Sequence, residues 1–130
     1  MSANCCFVTT LTTINGQLNN LGQALFAWDT PDGYPDKIEY WAGNIVPRWN
    51  YANVLSALKS TTSLAVDTAA YLAGSPDAAI DLMDQNFFGG EMPLVTRNAL
   101  LTYIKGGTFN DTRVRETLGL AVSANAFQWY

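Results

Sequence analysis

Apolar residues recur at spacings of three and four along most of the chain, a periodicity typical of amphipathic α-helices. The periodic stretches are Thr9–Leu25, Lys37–Gly43, Pro47–Lys59, Leu64–Ala73, Ser75–Phe88, Pro93–Lys105 and Asn110–Val122. No segment alternates between apolar and polar residues, as a strand does, for more than four positions. We therefore predict an all-α fold, a single compact domain of five to seven helices over residues 1–130, with residues 1–8 frayed.

Helix starts and stops are clearest in the second half of the chain. Ser75 is suited to cap a helix, Pro76 to its first position and Asp77 to its positive dipole end. The glycine pairs 89–90 and 106–107 are expected helix ends. The residues that we expect to face inward on these helices are Ile80, Met83, Phe87, Leu94, Leu101, Ile104, Val114, Leu118, Ala121 and Val122.

Two further expectations concern faces of helices. The Pro47–Lys59 helix should be central, because its apolar residues cover more than one face. The acids Asp77, Asp81 and Asp84 share one helical face, and we expect that face to be solvated.

A long loop between the first two helical segments concentrates aromatic and acidic side chains. Its aromatic residues are Phe26, Trp28, Tyr34, Tyr40 and Trp41. Its acids are Asp29, Asp32, Asp36 and Glu39. The run Pro31-Asp32-Gly33 is a strong turn signal within it. Such a density of rings suits either a buried anchor or a binding surface.

Four interpretations of this loop stay open. In the one we favour, the aromatic residues pin the loop to the helices and the acids make local turns; Trp28→Ala should then destabilise the fold by about 3 kcal/mol or more. Alternatively, exposed rings stack on sugars or a peptide, or the four carboxylates bind Ca²⁺, although their spacing does not match the twelve-residue calcium loop. Two carboxylates at the right separation also catalyse glycoside hydrolysis, but nothing in the sequence sets that separation.

Composition narrows the classes of partner. Apolar residues make up 48% of the chain and charged residues 14%, against about a quarter in typical proteins. With so few charges, some apolar surface is expected to meet a partner or a second copy. The net charge of -4 argues against nucleic acid, whose phosphates attract basic surfaces.

Missing residue types exclude several chemistries from this chain. It has no histidine, so catalytic triads and histidine-ligated metals are excluded within it. We expect no cofactor and no metal other than the Ca²⁺ alternative. The adjacent Cys5 and Cys6 are expected to be free thiols in a frayed end or a small apolar contact, with an intermolecular or redox role as the alternative. No membrane span and no signal peptide are expected, which predicts a soluble chain.

Several motifs resemble a large bacterial family catalogued as domain of unknown function 1800. They are the run LGQALF from Leu21 to Phe26, then Trp28, the run TPDGYPD from Thr30 to Asp36, Trp41 and the run PRWN from Pro47 to Asn50. Near the end, Ser123, Phe127 and Gln128 answer to the terminal motif of the family, while residues 124–126 depart from it. Ala24 and Asp29 stand where the family often has proline.

The resemblance implies a place in a longer protein. Members of that family are several times longer, usually secreted, and often encoded beside a sulfatase-like partner family. It therefore implies that this chain is the C-terminal portion of a secreted or periplasmic protein, whose missing N-terminal portion, or a second copy, is its partner. No activity is established for the family, so it implies no catalytic residues. We expect a structural or interaction module without catalysis of its own; the alternative is a glycan- or Ca²⁺-binding unit, or an enzyme fragment, that uses the Asp29–Glu39 loop.

Overall fold

The protein is built from α-helices around one core. The computed structural model describes residues 12–24, 27, 29, 31, 33–34, 37–59 and 65–128, and it describes residues 12, 13, 38 and 41 by their backbone alone. The helices are α1 (Thr12–Asn20), α2 (Ile38–Trp41), α3 (Ile45–Ala57), α4 (Ala69–Leu72), α5 (Pro76–Met83), α6 (Leu94–Lys105), α7 (Asp111–Ser123) and α8 (Asn125–Gln128). A π-helical turn, Asp84–Phe88, extends α5. Apart from one isolated bridge between Lys59 and Ala65, these residues form no strand pairing.

The predicted all-α, single-domain fold is confirmed. Five helices in the described part have eight residues or more, and α2, α4 and α8 are single turns of four. One buried cluster joins α4, α5, α6 and α7. Two expectations, frayed residues 1–8 and the free thiols Cys5 and Cys6, lie outside the described residues.

Helix α5 begins as its sequence predicts. The Ser75 hydroxyl accepts a hydrogen bond from the backbone N–H of Ala78 at 3.2 Å, and Pro76 occupies the first turn. Both features satisfy or remove donors that a helix start leaves unpaired. Ile80 and Met83 are fully buried, as expected.

The π-helical turn changes which phenylalanine enters the core. Because a π-turn adds a residue to the helical repeat, the position after Met83 that points inward shifts from Phe87 to Phe88. Phe88 is buried, whereas Phe87 is half-buried and faces the edge of Phe127. Gly89 (φ 63°) and Gly90 (φ 86°) then end the helix in the left-handed conformation that glycine tolerates.

Helix α1 is shorter than its pattern predicts, because the chain leaves the helix at Gly22. The Gln23 N–H donates to the Leu18 carbonyl at 2.8 Å, and the Gly22 N–H donates to the Asn19 carbonyl at 3.0 Å. With Gly22 at a φ of 72°, this is a Schellman motif, which satisfies the last carbonyls of the helix. The glycine therefore acts as a stop, although the apolar spacing continues to Leu25.

The central helix is α7, which corrects the expectation that the Pro47–Lys59 helix is central. Val114, Thr117, Leu118 and Ala121 of α7 are almost completely buried. On α3, only Ala52 and Ser56 are buried. The two helices form the most extensive pair in the fold, so α3 covers one side of α7.

Gly119 allows the close contact between α3 and α7. A Cβ atom at this position would lie 2.8 Å from Asn53 Oδ1 and 2.8 Å from Ser56 Oγ. At such distances a Cβ atom would force the Asn53 and Ser56 side chains to move. The glycine within α7 is therefore explained by packing.

Two other expectations were wrong. The pattern predicts a helix over Leu64–Ala73, but helix α4 covers only Ala69–Leu72, because residues 65–68 are not helical and the Asp67 carboxylate accepts the Ala69 N–H at 2.9 Å. Leu94 is 69% exposed and does not face inward, whereas Leu100 and Ile104 do. Leu94 lies six positions before Leu100, which rotates it about 120° away on a helix of 3.6 residues per turn.

Candidate functional site

The predicted aromatic loop is described only in part. Phe26, Trp28, Asp32 and Asp36 lie outside the described residues, as does the side chain of Trp41. The described members are Asp29, Tyr34, Glu39 and Tyr40. The loop hypotheses are therefore assessed on these four side chains.

The two described tyrosines differ in their surroundings. The Tyr34 hydroxyl donates to the Ala24 carbonyl at 2.6 Å, and its ring is half-buried. This hydrogen bond joins two parts of the loop ten residues apart, which agrees with an anchoring role. Tyr40 is 61% exposed and has most of its ring on the surface.

The described acids of the loop are on the surface. Asp29 and Glu39 are both exposed. Among the described residues, no group of three acidic or cysteine side chains is arranged to hold a metal ion. Since Asp32 and Asp36 lie outside that part of the chain, the Ca²⁺ hypothesis stays a prediction.

An apolar surface lies on the first two turns of α3. It consists of Ile45 (46% exposed), Val46 (59%) and Trp49 (46%), and we call it the α3 apolar surface. Ile45 and Trp49 are four positions apart and Val46 and Trp49 are three, so the three side chains are neighbours on the helix. The Trp49 indole N–H donates to the Ser123 carbonyl at 3.1 Å, which fixes the ring against the end of α7.

A small pocket of about 210 Å³ lies beside this surface. Ile45 and Trp49 form one of its walls, and Ser123, Asn125 and Gln128 form the other. The Ser123 hydroxyl is buried and has no hydrogen-bond partner in the described part of the chain. The pocket extends the apolar surface into a depression between α3 and the junction of α7 and α8.

A larger cleft of about 580 Å³ opens between α3, α4, the π-helical turn and α7. Its apolar walls are Leu55, Val66, Leu82, Phe87, Leu118 and Val122. Its polar residues include Asp67, Tyr71 and Asn86. The Asn86 amide donates to the Tyr71 hydroxyl at 3.0 Å, which ties the π-turn to α4.

A polar cluster beside the cleft fixes α3 to α7. The buried Arg115 guanidinium donates through Nε to both Asp111 carboxylate oxygens, at 3.0 and 2.9 Å. Its Nη1 donates to the carbonyls of Ser56 and Leu58 at 3.2 and 2.9 Å, at the end of α3. Arg115 thereby donates to carbonyls that have no hydrogen-bond partner within α3 because they lie at its C-terminal end.

Asp111 is the acceptor at the centre of this cluster. It accepts from Arg115 and from the Thr68 hydroxyl, and the Lys59 ammonium lies 2.9 Å from it. The hydrogen bonds from Arg115, Thr68 and Lys59 hold the pKa of the Asp111 carboxyl well below its usual range. The cluster joins α3, α4 and α7, and its contacts are structural.

The expected solvated face is confirmed for Asp77 and Asp81, which are exposed, but not for Asp84, whose side chain is only 16% exposed. The Lys105 ammonium lies 2.7 Å from Asp77, and Arg97 donates to Asp81. Asp84 accepts the N–H of Met92 at 2.9 Å. These acids therefore connect α5 to α6 and to the segment before it, and the Lys105 hydrogen bond lowers the pKa of Asp77.

The cleft, the α3 apolar surface and the Arg115 cluster were not predicted as sites. The spacing of Asp111 and Arg115, four positions apart, indicates a helical ion pair, but not the reach of Arg115 to α3. The apolar residues on several faces of α3 were noticed, but they were interpreted as burial. Whether a side chain of α3 is exposed depends on where the neighbouring helices end. The apolar pattern of α3 alone does not carry that information.

Comparison with known proteins identifies the family. Residues 3–129 match the family described as "Protein of unknown function (DUF1800)", so the chain belongs to that family. No curated protein and no solved structure matches the chain. In the described part, no helix combines the length and the apolar character needed to cross a membrane.

Proposed function

We propose that this DUF1800 chain is a helical interaction module without catalysis of its own, which packs against another polypeptide through the α3 apolar surface. The polypeptide is the preceding portion of a longer bacterial protein or a second copy of this chain. We further propose that the protein acts outside the cytoplasm, as the family resemblance implies.

The observation that carries this proposal is the exposure of three large apolar neighbours at the start of α3. Fully burying a side chain of this size contributes about 1.5–3 kcal/mol. Because Ile45, Val46 and Trp49 are about half exposed, covering all three would contribute about 2–4 kcal/mol. That gain is realised only when a partner covers them.

Several ionisable groups of the described residues have structural roles, which supports a role without catalysis. Arg115, Asp111, Arg97 and Lys105 all make contacts between helices. The chain has no histidine to act as a base near neutral pH. These groups stabilise the fold and leave the apolar surface as the main candidate for recognition.

Sedimentation velocity over a range of concentrations tests the proposal, both with the chain alone and mixed with the polypeptide encoded upstream of it. Val46→Lys places a charge in the centre of the surface and should weaken association by about tenfold or more. Val95→Lys is the matched control, because Val95 is also an exposed valine on a helix (82%) but lies on α6.

The outcome is decisive in both directions. Association that Val46→Lys weakens and Val95→Lys does not would support the proposal. A chain that neither self-associates nor binds the upstream polypeptide would refute it. So would association that both variants reduce equally, because the loss would then follow from an added charge on either helix and would not be specific to the α3 apolar surface.

A second candidate function is favoured by the exposure of the described part of the loop. Tyr40, Glu39 and Asp29 are all on the surface, as a stacking or carboxylate site for a glycan or Ca²⁺ would require. The hydrogen bond of Tyr34 to Ala24 favours the anchoring interpretation instead. Calorimetry with Ca²⁺ and with a panel of polysaccharides distinguishes a ligand-binding loop from an anchoring loop.

A further inference from the structure

We propose that the cleft between α3, α4, the π-helical turn and α7 binds a small molecule that has an apolar body and a cationic amine, with the amine at Asp67. This site is separate from the α3 apolar surface, and the proposal does not depend on the interaction function. Three observations carry it: the size and lining of the cleft, the unpaired charge of Asp67, and the π-turn in its wall.

The dimensions of the cleft suit a small ligand. Its volume of about 580 Å³ falls within the roughly 300–1,000 Å³ of pockets that hold small molecules. Its described walls are mainly aliphatic and aromatic, with Leu55 on one side and Phe87 and Leu118 on others. An apolar body would fill this space and release its water.

Asp67 gives the cleft a negative charge that nothing in the described structure neutralises. All seven lysine and arginine residues of the chain are in the described part, and none forms an ion pair with Asp67. It is also the only charged residue among the described residues that line the cleft. One carboxylate oxygen accepts the Ala69 N–H at 2.9 Å, which leaves the other available to a ligand.

Three acids elsewhere in the described structure form ion pairs. Asp111 meets Arg115 and Lys59, Asp81 meets Arg97, and Asp77 meets Lys105. Asp67 is exposed and has no such partner. A cationic ligand would neutralise its charge, whereas an anionic ligand would meet an uncompensated carboxylate.

The π-helical turn supplies part of the wall. Turns of this kind are rare and are frequently found at functional sites. Here the turn brings Asn86 and Phe87 to the cleft. Since the Asn86 amide nitrogen donates to Tyr71, its amide oxygen remains as a second acceptor for an amine.

Three probes with the same eight-carbon chain test the inference: octylammonium, octanol and octanoate. Titration calorimetry of the whole chain measures their affinities, and NMR shifts locate the bound probe. We expect octylammonium to bind about fivefold to tenfold more tightly than octanol, because Asp67 is exposed and water reduces the contribution of a charge-assisted hydrogen bond there. Octanoate should bind more weakly than octanol.

Two variants show whether the cleft is responsible. Asp67→Asn keeps an oxygen for the Ala69 N–H but removes the charge, so octylammonium should fall to the affinity of octanol. Asp29→Asn is the matched control, because Asp29 is an exposed acid that is not part of the described cleft lining. Ala70→Trp, at an exposed position of the cleft, should abolish binding of octylammonium and octanol without changing the melting temperature.

Several results would overturn the inference. Equal affinities for octylammonium and octanol in the native chain would remove the role of Asp67. Binding that survives Ala70→Trp in a folded variant would place the probes elsewhere. If none of the three probes binds, the cleft does not hold ligands of this class. None of these results bears on association through the α3 apolar surface.

Discussion

Replacing Asp111 by alanine tests the central polar cluster of the fold. The substitution removes both acceptors of the Arg115 Nε, the partner of the Thr68 hydroxyl, and the charge that meets Lys59. Arg115 keeps only the carbonyls of Ser56 and Leu58 as partners. The substitution therefore leaves the Arg115 guanidinium buried without the carboxylate that neutralises its charge.

The expected magnitude follows from the burial of the two partners. Removing one member of a buried ion pair costs about 3–5 kcal/mol. The Arg115 side chain is only 10% exposed, but that of Asp111 is 36% exposed, so water offsets part of the loss. We expect Asp111→Ala to lower the free energy of unfolding by about 2–3 kcal/mol.

Urea denaturation followed by circular dichroism measures this change. The midpoint should fall by about 1–2 M, because a domain of this size loses roughly 1–3 kcal/mol per molar urea. Asp29→Ala is the control, since Asp29 is an exposed acid, and surface substitutions of this kind stay within about 0.5 kcal/mol. A change within that limit for Asp111→Ala would refute the reasoning.

The pH dependence provides an independent check. The pKa of Asp111 is lower in the folded than in the unfolded protein, so its stabilisation is complete above the unfolded pKa of about 3.9. As the pH falls below that value towards the lower folded pKa, the stabilisation is lost. The difference between the native chain and Asp111→Ala should therefore be constant from neutral pH to about pH 5 and shrink below about pH 4. A difference that stays constant at acid pH would contradict the assignment.

Three further predictions follow from the packing and the loop. Gly119→Ala should lower the free energy of unfolding in urea by about 1–3 kcal/mol, because its Cβ would meet the side-chain oxygens of Asn53 and Ser56. Gly16→Ala, in open space on α1, should raise it by up to about 1 kcal/mol, and similar effects of the two would show that the Asn53 and Ser56 side chains move aside easily. Phe127→Ala should lower the free energy of unfolding by about 2–4 kcal/mol, since its ring packs edge-on against Phe87 and Phe88 at centroid distances of 6.2 and 6.0 Å. Phe127→Leu should lower it by about half as much. An unchanged urea midpoint would show that α8 is not docked. Calorimetry with Ca²⁺ should give no heat if the loop is an anchor, and saturable heat at neutral pH would revive the calcium hypothesis.

Helix boundaries were predictable wherever a single residue controls the backbone. Ser75 and Asn110 cap α5 and α7 with their side chains, as residue type and position indicate. Gly22 lies inside the periodic stretch Thr9–Leu25, although its positive φ is what ends α1. A glycine pair such as 89–90 therefore predicts a helix end, whereas a single glycine that ends a helix and one that a helix tolerates look alike in sequence.

The candidate sites could not be predicted, because each depends on contacts between distant residues. The Arg115 guanidinium reaches the Ser56 carbonyl 59 positions away, and the Trp49 indole reaches the Ser123 carbonyl 74 positions away. The π-turn that moves Phe88 inward and Phe87 to the cleft has no residue signal comparable to a cap. Periodicity alone predicts that Phe87 lies in the core, and it does not indicate a cleft.

The two ends of α3 have different environments, and this difference connects the fold to the proposed function. At its C-terminal end, Arg115 binds the Ser56 and Leu58 carbonyls and Gly119 brings α7 close to Asn53. At its N-terminal end, Ile45 and Val46 remain exposed. Because the firmly packed end holds the helix in place, the exposed end does not have to bury its apolar side chains for the chain to fold. A rigid apolar surface loses little conformational entropy on binding, which favours association with a partner.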